Sequence, residues 1–115
     1  MALIGDGGLT MLIGELATIA KYDLPIKILV IKNNAFGEIK WEQLAVEGNP
    51  SFGVELQPID FAAVARACGI GGYSFDEPQR ANEVIGQAFT MPGLVLIEVV
   101  VDFNELLMSG QITTE

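Results

Sequence analysis

The sequence predicts an α/β fold, an open and mostly parallel sheet with helices on both faces. Three observations carry this. Ile26–Lys32 and Leu94–Val101 are almost unbroken β-branched and aliphatic runs, the composition of strands covered on both faces. Between the apolar runs lie segments of helical period at Leu9–Tyr22, Phe61–Cys68 and Glu77–Thr90. The resulting order, β-α-β-α-α-β-α-β, alternates in the way that builds a layered parallel sheet.

Each element follows from its residues. Ala2–Ile4 reads as the end of a buried strand, and Gly5-Asp6-Gly7-Gly8 as a turn. In Leu9–Tyr22, residues Leu9, Leu12, Ile13, Leu16, Ala17, Ile19 and Ala20 share one stripe. Gly14 costs that helix about 1 kcal/mol relative to Ala, which predicts a close approach of another element there. Asp23-Leu24-Pro25 stops the helix. Asn33–Gly37 is a loop, Glu38–Glu47 a short helix, and Gly48–Pro58 an irregular loop punctuated by Gly and Pro. Asp60 is placed to cap Phe61–Cys68. Gly69–Gly72 ends that helix, and Tyr73–Phe75 is a short strand. Pro78 suits the first turn of the helix to Thr90, and Pro92-Gly93 breaks it. From Asp102 onward no pattern is strong.

Composition narrows the function. The 115 residues amount to one domain, and half are hydrophobic, enough to fill a core. Lys and Arg total 6 against 15 Asp and Glu, a net charge of −9, which argues against a nucleic-acid or anionic-membrane surface. The absence of His removes Ser-His-Asp and Cys-His catalysis and His-ligated zinc from what these residues can do alone. Cys68 is single, so there is no internal disulfide, and it reads as a small buried side chain. No apolar run reaches the roughly 18 residues of a membrane span. Met1-Ala-Leu-Ile runs directly into Gly5-Asp6 with no room for a signal peptide, so a cytoplasmic protein is expected.

Two loops carry unusual chemistry. In open α/β sheets ligands sit at the carboxyl ends of the strands. Gly5-Asp6-Gly7-Gly8 follows a strand and opens a helix, a place where backbone N–H groups approach an anion closely. Yet Asp6 would repel a phosphate unless a cation lies between them, which points to a divalent metal. The second loop begins at Asn33. A helix of about 14 residues runs back roughly 21 Å, and a strand of about 7 residues returns roughly 23 Å. Asp6 and Asn33 therefore finish at the same sheet edge. One carboxylate, one amide oxygen and a loop carbonyl make a hard oxygen set that diphosphate and water would complete for Mg²⁺. Other phosphate motifs fit worse: a dinucleotide fingerprint would need Gly where Thr10 stands, and no Gly-Lys-Ser/Thr of a P-loop occurs. A strand–helix turn with a capping Asp remains open as a plainer reading.

Gly5-Asp6-Gly7, followed after 25 residues by Asn33, resembles the signature of thiamine-diphosphate-dependent enzymes. The likeness extends through Leu24-Pro25-Ile26-Lys27, Gly37-Glu38-Ile39-Lys40-Trp41-Glu42-Gln43 and Ile59-Asp60-Phe61-Ala62, which are similar to the pyruvate oxidase and acetolactate synthase branch. It covers positions 2 to about 103, with Lys32 in place of the Asn or Cys common before the motif's Asn. The resemblance implies that Asp6, Asn33 and the Ala35 carbonyl hold Mg²⁺, with Asn34 as the alternative ligand. It implies that Gly5, Gly7, Gly8, Asn33 and Ala35 form the cofactor's diphosphate site, the Gly7 and Gly8 amides facing the diphosphate. Glu38 and Glu42, at i and i+4 of one helix, match substrate-side positions that are often apolar or aromatic in the branch; a solvated acidic face is the plainer alternative. Trp41 reads as a packing residue.

The same resemblance implies what lies elsewhere. Branch members carry an amino-terminal pyrimidine-binding domain, whose glutamate activates the cofactor from a partner subunit, and a middle domain; a flavin (FAD) would bind outside these residues, in the full-length enzyme only. Residues 1–103 are then a partial thiamine diphosphate and Mg²⁺-binding domain, incomplete at the N-terminus, and 104–115 a tail. The implied reaction is attack of the cofactor on a 2-keto acid such as pyruvate, followed by decarboxylation. The implied partners are the cofactor, the 2-keto acid, and either identical subunits or a complementing pyrimidine-binding domain. A non-catalytic remnant that keeps the fold, or a different Mg²⁺–phosphate binder on the same layers, are the competing readings.

Overall fold

The computed structural model describes residues 1–104, and the tail expected over 104–115 therefore lies outside the described residues beyond Asn104. Four strands form one parallel sheet: β1 (Ala2–Gly5), β2 (Lys27–Lys32), β3 (Gly71–Phe75) and β4 (Val95–Val100), in the order β1-β2-β4-β3. The helices are α1 (Asp6–Met11), α2 (Glu15–Lys21), α3 (Gly37–Trp41) with a π turn continuing it over Glu42–Val46, α4 (Phe61–Ala67) and α5 (Ala81–Thr90), entered by a 3₁₀ turn at Pro78–Arg80.

Two cores lie on opposite faces of the sheet. Ile28, Val30 and Leu96 pack with Leu9, Leu16, Phe61 and Ala65 from α1, α2 and α4. The alternate residues of the strands, Phe75, Val95 and Ile97, pack with Val84 and Ala88 of α5. The connections β1→β2 and β2→β3 advance across the sheet over the first face, whereas β3→β4 steps back over the second. Right-handed crossovers require this change of face when the direction reverses. Val95, Leu96, Ile97 and Glu98 are all buried, the mark of a central strand covered on both sides.

Four expectations change here. β1 is not buried: it pairs only with β2 among the described residues, and Leu3 is 66% exposed. The helix expected from Leu9 to Tyr22 is two helices. Thr10 Oγ1 donates to the Asp6 carbonyl at 2.8 Å, and Leu12, Glu15, Leu16 and Ala17 N–H groups each bond three residues back. These tighter turns rotate the stripe, so Leu16 is 1% exposed while Leu12 is 67% exposed. Gly14 marks this break rather than a close approach, because a Cβ there would meet nothing within 4 Å. The helix start also moves: Asp6 already opens α1, so Gly5-Asp6-Gly7-Gly8 is a strand end plus a first helical turn rather than a separate turn.

Smaller features follow the local chemistry. Asp60 Oδ1 accepts the Ala63 N–H at 2.7 Å and caps α4. Cys68 is the C-cap residue of that helix and is half-buried rather than enclosed. Val54–Leu56, expected as irregular loop, pairs with the Asn34–Phe36 loop through Phe36 N–H to Val54 O (2.8 Å) and Leu56 N–H to Asn34 O (2.9 Å).

Candidate diphosphate and metal site

The site forms where β1 and β2 end side by side, Gly5 standing opposite Ile31 in the parallel register. Asp6 follows β1 and is 4% exposed. Its Oδ1 accepts the Gly7 N–H at 3.0 Å and its Oδ2 accepts the Asn34 N–H at 2.7 Å. The second bond ties the loop after β2 to the first turn of α1. Asn34 takes a left-handed backbone, φ 56°, a conformation Asn tolerates better than most residues. That conformation lets its N–H reach Asp6 while its carbonyl accepts from Leu56.

Asn33 Oδ1 accepts the Ala35 N–H at 3.0 Å, a local turn that holds the amide beside the cavity. Among the described residues, no backbone hydrogen bond ends on the Ala35 carbonyl oxygen. Phe36 closes over Gly7: a Cβ at Gly7 would stand 2.8 Å from the Phe36 ring, so only glycine fits. A Cβ at Gly37 would likewise stand 2.9 Å from Asn33 Nδ2. A Cβ at Gly5 would meet nothing within 4 Å.

These residues surround one cavity of about 430 Å³. Its lining includes Gly5, Asp6, Gly7, Gly8, Asn33, Ala35 and Glu38, with Ile31, Phe36, Gly37 and Ile39. Asn34, the alternative ligand, is not among them, and neither is Glu42. Glu42 opens the π turn one helical turn beyond Glu38, which carries it along the axis and away from the cavity. The Gly7 N–H is engaged with Asp6, whereas Gly8 is exposed at the cavity. Sequence reasoning did not single out Phe36, Ile31 and Ile39 as wall residues. The apolar positions flanking Asn33 and Gly37 were the available signal.

The donors gathered here are hard oxygens. A buried carboxylate oxygen with one N–H bond keeps a second lone-pair direction, as does an amide oxygen. With the Ala35 carbonyl they suit an octahedral oxygen-loving cation such as Mg²⁺, and Gly8 of the first turn of α1 lines the same cavity. No cluster of three His, Cys, Asp or Glu exists among the described residues, so a site made of protein carboxylates alone is not what this geometry offers.

The family model described as the C-terminal TPP-binding domain of thiamine pyrophosphate enzymes matches residues 1–99. The chain belongs to this family. Thiamine pyrophosphate and thiamine diphosphate are one compound, so the cofactor the resemblance implied is the family's own. YdaP of Bacillus subtilis, named as a thiamine pyrophosphate-containing protein, is 34% identical over 98% of this chain and 19% of its own length. The acetolactate synthase large subunit of Pyropia yezoensis is 34% identical over 91% of this chain and 18% of its own. Pyruvate oxidase of Lactiplantibacillus plantarum is 35% identical over 75% of this chain and 14% of its own. Among solved structures, the thiamine diphosphate-dependent 4-hydroxybenzoylformate decarboxylase of Rhodococcus jostii RHA1 superposes with a TM-score of 0.80. It is 26% identical, covering 90% of this chain and 20% of that one. The chain thus spans between 14% and 20% of the length of these relatives. Its fold is the α/β fold of this family's cofactor-binding domain, and it resembles the pyruvate oxidase and acetolactate synthase branch. No helix among the described residues is long and apolar enough to cross a membrane.

Proposed function

We propose that this chain is the diphosphate- and Mg²⁺-binding portion of a thiamine-diphosphate-dependent enzyme that acts on 2-keto acids such as pyruvate. The observation that carries the reading is the convergence of Asp6, Asn33 and Ala35 on one cavity at the ends of β1 and β2. Asp6, the Asn33 amide oxygen and the Ala35 carbonyl hold Mg²⁺, and the metal lets a diphosphate sit beside a carboxylate. Gly5 leaves room for the diphosphate, Gly8 lines the same cavity, and Gly7 admits Phe36 as the floor. Bound thiamine diphosphate supplies the electron sink for decarboxylation.

The chain's own contribution is anchoring and orientation. Glu38 stands on the cavity wall and keeps the substrate-side role in this reading, whereas Glu42 stands outside the cavity. The reading includes assembly with a pyrimidine-binding domain or with identical subunits, since the activating glutamate of the family belongs to that other domain. It also includes a cytoplasmic location, in keeping with a single Cys that forms no internal disulfide. FAD belongs to the reading only for a full-length oxidase or synthase.

Calorimetric titration of the chain with thiamine diphosphate tests this. Saturable binding is expected with Mg²⁺ and is expected to vanish with EDTA or in Asp6→Ala. With pyruvate added, no carbon dioxide is expected from the chain alone. Equal affinity in Asp6→Ala refutes the metal assignment. Absence of binding in a folded wild-type chain favours the non-catalytic remnant.

A further inference from the structure

Lys40 is 5% exposed, an unusual place for an ammonium group. Burying such a charge costs several kcal/mol unless its protons find acceptors. Lys40 Nζ donates to the Phe103 carbonyl at 3.0 Å and to Asn104 Oδ1 at 3.1 Å, and it stands 3.5 Å from the centroid of the Phe103 ring. The one salt bridge among the described residues is Lys32–Glu98, so no described carboxylate neutralises Lys40. Among the described residues, its side-chain partners lie on Phe103 and Asn104, just beyond β4. A buried charge adds little net stability over an apolar side chain of similar length. What it adds is a demand for one particular partner.

The helix that carries Lys40 is also the cavity wall. Gly37, Glu38 and Ile39 of α3 line the cavity, and the Lys40 N–H bonds the Phe36 carbonyl at 2.9 Å. Whatever fixes Lys40 therefore fixes the turn that precedes it. We propose that Lys40 is a positioning residue: by gripping Phe103 and Asn104 it makes the segment leaving β4 set the place of the Gly37–Ile39 wall, and with it the affinity of the cavity for a Mg²⁺–diphosphate group. The last clause rests on the function proposed above.

The test compares the full chain with Lys40→Met, Phe103→Ala and the double variant. Two readouts are taken: calorimetric affinity for thiamine diphosphate with Mg²⁺, and amide hydrogen exchange of residues 38–42 against those of α5. Trp41, the single tryptophan, gives a parallel emission signal from α3 itself. Each single variant is expected to weaken binding about tenfold, within the usual range of site-to-site coupling. The double variant is expected to lose no more than the worse single, since the ring contact removed by Phe103→Ala is already lost in Lys40→Met. Exchange in α3 is expected to quicken about tenfold while α5 is unchanged, with Trp41 emission shifted to the red. Wild-type affinity in folded variants, losses that multiply in the double variant, or unchanged α3 exchange would each overturn the proposal. Should Lys40→Met not fold, Phe103→Ala removes the ring and Asn104→Ala the side-chain acceptor, and each alone is expected to weaken binding and quicken α3 exchange, with unchanged values in both overturning the proposal. A wild-type chain that binds no cofactor contradicts the function reading alone, and the exchange comparison then decides the coupling by itself.

Discussion

Gly72 sits where α4 crosses β3, and a Cβ there would run into the Ala62 carbonyl. Arg66 crosses the same gap, its Nη1 donating to the Gly72 carbonyl at 2.8 Å. Backbone cannot give way as the end of a side chain can, so Gly72→Ala is expected to destabilise the chain by about 2–4 kcal/mol in urea unfolding. Gly86 is the control. It lies inside α5 with open space around its would-be Cβ, so Gly86→Ala is expected to stabilise by about 0.5–1 kcal/mol. Equal effects from the two substitutions would contradict the packing described here. At this scale the sequence was informative about which polar residues meet at the cavity and silent about two buried charges. Asp6 and Asn33 were legible because a carboxylate among glycines near a phosphate demands a cation. Lys40 and Glu98 were not, because their burial depends on groups far along the chain. Lys40 is satisfied by residues 63 and 64 positions away, and Glu98 by Phe61 N–H, Ser74 and Lys32.

Among the elements, the break between α1 and α2 is the clearest departure from periodicity. An unbroken helix would put Leu12 and Leu16 on one buried face, four residues apart. The 3₁₀ bonds at Leu12–Ala17 separate them. Leu16→Ala is therefore expected to cost about 2–5 kcal/mol, and Leu12→Ala less than about 0.5 kcal/mol, by thermal or chemical unfolding. Similar costs at both positions would restore the continuous helix. The strands, by contrast, were legible almost to the residue: Ile26–Lys32 and Leu94–Val101 contain β2 and β4. A run buried on both faces leaves little choice of structure. The Val54–Leu56 segment was missed because its partner is a loop, and two short irregular segments that pair with each other have no period to detect.

At the scale of the whole molecule, four strands and two cores bring the first turn of α1 and the loop after β2 to one edge of the sheet. The fold class could be read from the order of elements, and the site from the spacing between two loops, because the return length of the strand matches that of the helix. The exposure of β1 could not be read in advance: an aliphatic strand looks the same in sequence whether or not something covers it. The acidic balance of −9 has its local counterpart in Asp6, a carboxylate that makes physical sense beside a diphosphate with a divalent cation between them. That three-way arrangement is the central claim, and a crystal of the chain grown with thiamine diphosphate and Mn²⁺ tests it most directly, since Mn²⁺ accepts the same octahedral oxygen set and its anomalous signal locates it. The account predicts one metal in coordination contact with Asp6, the Asn33 amide oxygen and the Ala35 carbonyl, bridging to the diphosphate. A metal held elsewhere, or a diphosphate bound in this cavity without one, would contradict it.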